Sequence, residues 1–133
     1  MKIIGVFATL AIAAAESATA QDFLTPEEFE HYTNGNTLRF ERHGSEYHGL
    51  EEYLPDRRVR MQAPDGTCHD GHWYVQGPSI CFSYDGWPEP ECWMIARGET
   101  GLLGRPTDSL SLFGYWDIRI TDETLSCGSD TSV

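Results

Sequence analysis

The chain has few basic residues: 9 lysines and arginines stand against 21 aspartates and glutamates, which gives a formal net charge of -12. Lysine is present once, at Lys2, so every later basic side chain is an arginine. Binding to nucleic acid or to an anionic membrane surface needs a positively charged footprint. We therefore expect neither as a partner, whereas a basic partner protein, or solubility alone, suits this charge.

Catalytic and metal-binding motifs are also missing. There is no G-x-S-x-G elbow, H-E-x-x-H helix or phosphate loop. The segment Cys68-His69-Asp70-Gly71-His72 contains possible metal ligands. On an extended strand, however, His69 and His72 point to opposite faces unless Gly71 forms a bulge. We predict no catalytic residue, no cofactor and no metal site, and the sequence favours a non-catalytic role over an enzyme.

No hydrophobic run is long enough to cross a membrane as a helix, which takes about 20 residues. The apolar run at residues 3–15 follows Lys2 and precedes Ala18-Thr19-Ala20, a pattern typical of a signal peptide. We predict a signal peptide at 1–20 and export to the periplasm or the medium. Residues 21–133 then form one domain, with 128–133 frayed.

One short helix is predicted at the start of this domain. Thr25 is a typical N-cap, Pro26 suits the first helical position, and Glu28 completes a capping box. Leu24 and Phe29 can form a hydrophobic staple, and Asn34-Gly35 ends the helix after about two turns.

Beyond Gly35, apolar residues alternate with polar ones, which is typical of strands with one buried face. Turn signals separate the strands by connections too short for crossover helices. We predict a mainly β fold: an antiparallel meander of about seven or eight short strands forming a small barrel or a strongly bent sheet. Gly98 to Ser109 is predicted to be one long loop. The predicted inward residues are Leu38, Phe40, Val59, Met61, Ala63, Trp73, Val75, Ile80, Phe82, Tyr84, Trp93, Ile95, Ile118 and Ile120.

The four cysteines are predicted to form two disulfides. A four-residue turn at 85–88 sets Cys81 directly opposite Cys92, both on the outer face. A hairpin at Gly77-Pro78 sets Cys81 against Tyr74 and leaves Cys68 about 20 Å away. By elimination Cys68 pairs with Cys127, although four cysteines allow three connectivities.

Four residues are candidates for ligand binding. Glu51 shares a strand face with Tyr53; if that face is the inner one, Glu51 is a buried carboxylate that needs a partner, for which Arg57 or a neighbouring arginine is the candidate. Such an acid can contact a ligand or act as a base, although a structural ion pair is the commoner outcome. Trp73 belongs to a dense aromatic series that fills the core. Trp87 is predicted to be exposed at a turn tip, where it could contact a partner or a sugar ring.

Several segments together resemble a family of small exported alphaproteobacterial proteins. They are Thr25-Pro-Glu-Glu-Phe29, Tyr53-Leu-Pro-Asp-Arg57, Gly71-His-Trp73, Ile80-Cys-Phe-Ser-Tyr84 and Cys92-Trp93, within residues 23–95. The resemblance implies export and a disulfide-bearing β domain, and it implies no reaction or cofactor.

Three functions remain open on these observations. The first is an exported, non-catalytic domain that binds a small molecule or an envelope component. The second is an inhibitor or accessory factor for a basic envelope protein, which the acidic charge suits. The third is an enzyme that uses Glu51. The oligomeric state is not predicted.

Overall fold

The computed structural model describes residues 23–108 and 114–127. Within these residues, eight antiparallel strands follow one helix and close into a barrel in chain order. The predicted mainly β architecture is therefore confirmed. The predicted signal peptide and the tail at 128–133 lie outside the described residues. The strands are β1 (Thr37–Arg42), β2 (His48–Tyr53), β3 (Arg58–Gln62), β4 (Cys68–Gln76), β5 (Ser79–Tyr84), β6 (Glu91–Arg97), β7 (Leu102–Pro106) and β8 (Trp116–Thr121).

Helix α1 (Pro26–Thr33) begins as the capping box predicts. The Glu28 backbone N–H donates to Thr25 Oγ1 at 3.2 Å, and the Thr25 N–H donates to Glu28 Oε1 at 3.2 Å. Phe29 faces the barrel interior and is 1% exposed. Its ring meets Trp73 edge-on, with the centroids 5.0 Å apart. Among the described residues, no helix is both long and apolar enough to cross a membrane.

The two ends of the barrel differ. Odd-numbered strands start at the end that α1 covers, which we call the closed end. Even-numbered strands start at the other end, which we call the open end. The turns between β1 and β2, β3 and β4, and β5 and β6 all lie at the open end. Residues 109–113, which precede β8, are not described.

The strand register confirms the predicted alternation. Leu38 pairs with Glu51, and Phe82 pairs with both Trp73 and Glu91. The interior positions therefore form matching rows across neighbouring strands. Most predicted inward residues belong to the core cluster or pack against it. Ile120 is an exception: it lies near the end of β8 and is 47% exposed.

The prediction of one long loop from Gly98 to Ser109 is wrong. Strand β7 lies inside it and pairs with both β6 and β8. Its inward positions are Leu102, Gly104 and Pro106, so the pattern of alternating large apolar residues is absent. Glycine fits at 104 because a Cβ there would lie 2.9 Å from Ile118 Cδ1 and 3.3 Å from Trp93 Cε3.

Two disulfides brace the barrel, Cys81–Cys92 and Cys68–Cys127, the pairs that register and elimination predicted. The second one anchors the segment 122–127, which leaves β8 and crosses the outer face of the barrel. Along this path Arg39 pairs with Glu123 at 3.0 Å. The Ser126 N–H donates to Gln62 Oε1 at 2.9 Å. The segment therefore straps β8 to β4 across the strands between them.

Candidate functional site

A cavity lies inside the barrel between the two ends. Phe29 bounds it at the closed end, while Glu91 and Trp116, the first residues of β6 and β8, bound it at the open end. The space open to the centre of a water molecule is about 60 Å³. One water needs roughly 10–15 Å³ by this measure, and an engineered cavity of about 150 Å³ holds a benzene ring, so this cavity alone has room for several waters or one small polar group but not for a ring. Much of its wall is aromatic, with Phe40, Tyr53, Phe82, Tyr84, Trp93 and Trp116.

Glu51 occupies the middle of β2 and points into this cavity. The residue is 4% exposed. The Tyr84 hydroxyl donates to Glu51 Oε2 at 2.6 Å, whereas Oε1 is buried and has no hydrogen-bond partner. A buried polar atom without a partner is uncommon in folded proteins and costs about 1–3 kcal/mol. The Tyr53 phenol interacts with the same carboxyl group but makes no hydrogen bond of ordinary geometry to Oε1, so this oxygen is open to a molecule that enters the cavity.

The protonation state of Glu51 follows from its surroundings. Burial raises its pKa to about 8; the hydrogen bond from Tyr84 opposes this rise, the negative charge of Glu91 adds to it, and a hydrogen-bonding interaction with the Tyr53 side chain opposes it. At neutral pH most Glu51 side chains are thus neutral carboxylic acids. Burial, together with the Glu51 charge, raises the pKa values of Tyr53 and Tyr84 well above the ordinary range. Both phenols stay neutral and serve as hydrogen-bonding groups.

Two interior glycines position this site. A Cβ at Gly71 would lie 2.2 Å from the Ser83 carbonyl oxygen and 2.9 Å from Tyr84 Cδ1. On β2, a Cβ at Gly49 would lie 2.3 Å from Phe40 Cζ. Real side chains do not fit at such distances, so these glycines let Tyr84 and Phe40 lie flat against the barrel wall.

Glu91 brings a second carboxylate to the cavity. It pairs with Phe82 and lies in phase with Trp93 and Ile95, so it points inward at the open end. Although much of the residue is exposed, partial burial of its carboxylate raises its pKa, and the negative charge of Asp108 adds to the rise. The cavity therefore carries one acid at its middle and another at its mouth.

An outer recess of about 180 Å³ adjoins the cavity and shares Glu91, Trp93 and Trp116 with it. Arg42, the last residue of β1, lines this recess. Its guanidinium carbon lies 5.0 Å from the ring centre of Tyr47 and 5.4 Å from that of Trp116. Arg42 therefore belongs to the rim of the barrel.

Of the four predicted ligand-binding residues, the structure places Glu51 and Tyr53 together in the cavity. Trp73 lies in the core beneath Phe29, with the Arg57 guanidinium 4.3 Å from its ring centre, and it is absent from the cavity wall. Whether any of the four binds a ligand stays a prediction.

The expectation of an exposed Trp87 is wrong. Its ring is half-buried and packs on Tyr84, with the centroids 4.9 Å apart. Its Nε1–H donates to His69 Nδ1 at 3.3 Å. The turn between β5 and β6 folds this indole back over the barrel end because Tyr84 and His69 offer it both an apolar surface and a hydrogen-bond acceptor. Trp87 therefore covers the residue that holds Glu51.

The expected pairing of Glu51 with Arg57 is also wrong. Asp56 and Arg57 have φ of 62° and 58°, a left-handed turn after β2. This turn directs Arg57 out of the barrel to Glu30, 3.3 Å away. Among the described residues, no group of three or more histidine, cysteine, aspartate or glutamate side chains is arranged to hold a metal ion.

Sequence reasoning missed the roles of Tyr84 and Glu91. Strand alternation predicts that Tyr84 lies in the core, but it gives no partner for the Tyr84 hydroxyl. Glu91 carries a clearer signal: if Cys92 faces outward and Trp93 inward, then Glu91 also faces inward. An inward carboxylate at the start of a strand marks a barrel mouth.

Comparisons with known proteins add little. No protein-family profile matches the chain, and no solved structure matches it. A stretch of 70 residues is 40% identical to part of the p-hydroxybenzoic acid--AMP ligase FadD22 of Mycobacterium marinum. The match covers 47% of this chain and 9% of that ligase, so the chain spans less than a tenth of the length of this curated relative. A match of this extent does not place the chain in a family.

Proposed function

We propose that the protein is an exported, non-catalytic domain that binds a small, largely apolar molecule inside its barrel. The observation that carries the proposal is Glu51 Oε1, which is buried, faces the cavity and has no hydrogen-bond partner. An aromatic wall with a few polar groups is typical of small-molecule sites. A ligand with one polar group completes the hydrogen bonding of Glu51 inside the cavity. Because about 60 Å³ is too little for a whole ring, its apolar body packs on Trp93 and Trp116 in the adjoining recess.

The route into the site is the open end of the barrel. Phe29 and α1 cover the opposite end, and Phe29 packs there against Tyr53, Trp73 and Phe82. Since Trp93 and Trp116 belong to both the cavity and the outer recess, a molecule that enters the recess meets them before it reaches Glu51. Export is supported by the two disulfides, which persist in oxidising compartments.

Ligand titrations followed by NMR of the isotopically labelled chain test this proposal. The probes are phenol, benzyl alcohol, cyclohexanone and p-hydroxybenzoate, the last because the matched ligase is named for that acid. We expect at least one probe to shift the resonances of Glu51, Tyr84 and Trp116 in a saturable manner. Shifts confined to the outer surface, or no saturable shift with any probe, would contradict the proposal.

A matched pair of variants locates the binding. Ile118→Phe adds a ring to the cavity wall, so we expect at least tenfold weaker binding. Ile120→Phe, two residues along β8, adds the same volume at a position that is 47% exposed and outside the cavity wall. It should leave the affinity within about twofold. Equal effects of the two substitutions would place the probe elsewhere.

A further inference from the structure

We propose that the ligand of this cavity is a small organic cation, a protonated amine with an apolar body, held between Glu51 and Glu91. This inference rests on the function proposed above and narrows it to one chemical class. Three features of the cavity support it: the sign of its ionisable groups, the free oxygen of Glu51, and the aromatic faces around it.

Every ionisable side chain that lines the cavity is an acid. They are Glu51, Tyr53, Tyr84 and Glu91, and no lysine, arginine or histidine belongs to the wall. Asp108 lies near Glu91 at the mouth and adds negative charge there. At neutral pH the negative charge lies at the mouth, on Glu91 and Asp108, and it attracts molecules of the opposite sign, as does the net charge of -12. A cation is therefore attracted to the mouth and into the barrel.

Glu51 Oε1 provides the second, independent feature. It is a buried oxygen without a partner, on a side chain that Tyr84 fixes through Oε2. An ammonium group has three N–H donors, so it can donate to Oε1 and still have donors for Glu91 or for water. Hydrogen bonds between charged partners are roughly twice as strong as neutral ones.

The aromatic wall suits the same ligand. Cations are attracted to the faces of tryptophan and tyrosine within about 6 Å of the ring centre. Trp93 and Trp116 line both the cavity and the outer recess beside Glu91, with their ring centres 6.1 Å apart. They offer an ammonium group favourable contacts on its way in, and they then offer the apolar body a surface to pack on.

Arg42 lies too far along β1 to pair with Glu51. Leu38 pairs with Glu51, and Arg42 lies four residues further along β1, about 13 Å away at strand rise. Its guanidinium stacks on Tyr47 and Trp116 at the rim. A ligand with an anionic group would meet the Arg42 Nε–H, which is also buried without a hydrogen-bond partner. There it would lie beside Glu91 and Asp108, and it would leave Glu51 Oε1 without a partner.

Proton release distinguishes an amine from a neutral ligand. The titratable groups that face Glu51 are Tyr53 on its own strand, Tyr84 on β5 and Glu91 on β6. The adjacent strands β1 and β3 and helix α1 present Leu38, Met61 and Phe29, which do not titrate. An ammonium group stabilises the ionised form of Glu51, so its arrival releases the proton of that carboxyl group. Below the pKa of Glu51, amine affinity therefore rises about tenfold per pH unit. A neutral ligand shows no such rise.

Calorimetric titration with benzylamine, benzyl alcohol and benzoate, which have nearly the same shape, provides the test. We expect benzylamine to bind most tightly at pH 7, with about tenfold weaker binding at pH 6 and with proton release visible as a dependence on the buffer. If benzyl alcohol binds as tightly as benzylamine, the inference that the ligand is a cation is wrong, while the proposed binding of a small molecule stands. Preference for benzoate overturns the inference in favour of Arg42. If none of the three binds and the earlier probes also fail, both proposals fall.

The variants Glu51→Gln and Glu91→Gln keep the shape of the cavity and remove its charges. We expect Glu51→Gln to weaken benzylamine binding at least tenfold at pH 7 and to abolish its pH dependence, while benzyl alcohol changes less than threefold. Glu91→Gln should weaken benzylamine binding by a smaller factor and keep the pH dependence. A Glu51→Gln protein that binds benzylamine normally would overturn the assignment.

Discussion

Glu51 destabilises the folded barrel whenever it is ionised, because its carboxylate is buried beside another acid. Its pKa in the folded protein is about 8, against an ordinary value of 4.5. Since the folded state holds the proton of Glu51 more tightly than the unfolded state does, the contribution of this proton to stability is fully present below about pH 4.5. It falls as the pH rises towards 8 and levels off above that pH.

This linkage predicts a measurable slope. The free energy of unfolding should fall by about 1 kcal/mol per pH unit between pH 5 and pH 7 through Glu51 alone. Urea unfolding of the wild type and of Glu51→Gln at both pH values measures it, because the substitution removes this contribution. Glu52→Gln, which changes the neighbouring carboxylate on the outer face, is the matched control. Parallel pH profiles for the wild type and Glu51→Gln would show that Glu51 is ionised in the folded protein.

The orientation of Glu51 could be predicted from the sequence, whereas its partner could not. Its phase with Tyr53 follows from strand alternation alone. The partner depends on which strand crosses the barrel opposite it, and that is set by closure of β1 onto β8. Arg57 is near in sequence, but two residues with positive φ direct it away. Local spacing cannot supply information of this kind.

At the scale of elements, helix α1 acts as the plug of the closed end. Phe29 contributes most of this closure, since its ring packs against three aromatic residues from β2, β4 and β5. The capping box fixes where the helix begins, and that start determines which residue enters the barrel. The local signals in residues 24–35 were sufficient to predict the helix, although not its position over the barrel end.

Phe29→Ala should destabilise the protein by about 3–5 kcal/mol, as expected for a fully buried phenylalanine. Phe23→Ala, at a residue that is 41% exposed, should cost less than about 1 kcal/mol. Urea unfolding curves of both variants measure the difference. Similar losses from the two substitutions would mean that the helix does not plug the barrel.

Strand β7 shows where alternation fails as a signal. Gly104 and Pro106 occupy two of its three inward positions, and neither marks a buried strand face. The requirement for glycine comes from Ile118 and Trp93, which lie on other strands. When side chains from neighbouring strands fill the space at a strand's inward positions, that strand cannot be recognised from its own residues.

At the scale of the whole molecule, every strand pairs with its neighbours in sequence except at the seam between β1 and β8. The seam joins residues near both ends of the domain, so its formation carries the largest loop-closure cost. The strap at 122–127 lies across it, with Arg39 of β1 bound to Glu123. The Cys68–Cys127 disulfide therefore secures the pairing that completes the barrel.

Removing the Cys68–Cys127 disulfide should destabilise the protein more than removing the Cys81–Cys92 disulfide. The Cys68→Ala/Cys127→Ala variant opens a loop of 59 residues, and Cys81→Ala/Cys92→Ala opens one of 11. Loop-closure entropy predicts losses of about 4 and about 3 kcal/mol, respectively. Hydrogen exchange should show faster exchange at β1 and β8 in the first variant and at β5 and β6 in the second. Exchange that is uniform in both would argue against a strapped seam.

The path of the strap bears on how the protein should be attached to a sensor chip. Cys68 is the first residue of β4 at the open end, so the disulfide to Cys127 brings the chain back to that end of the barrel. A purification tag fused beyond Cys127 would therefore start at the open end, where it can obstruct access to the cavity. Phe23 pairs with Ala96 near α1 and lies at the closed end. Tethering through that side leaves the entrance facing the solvent.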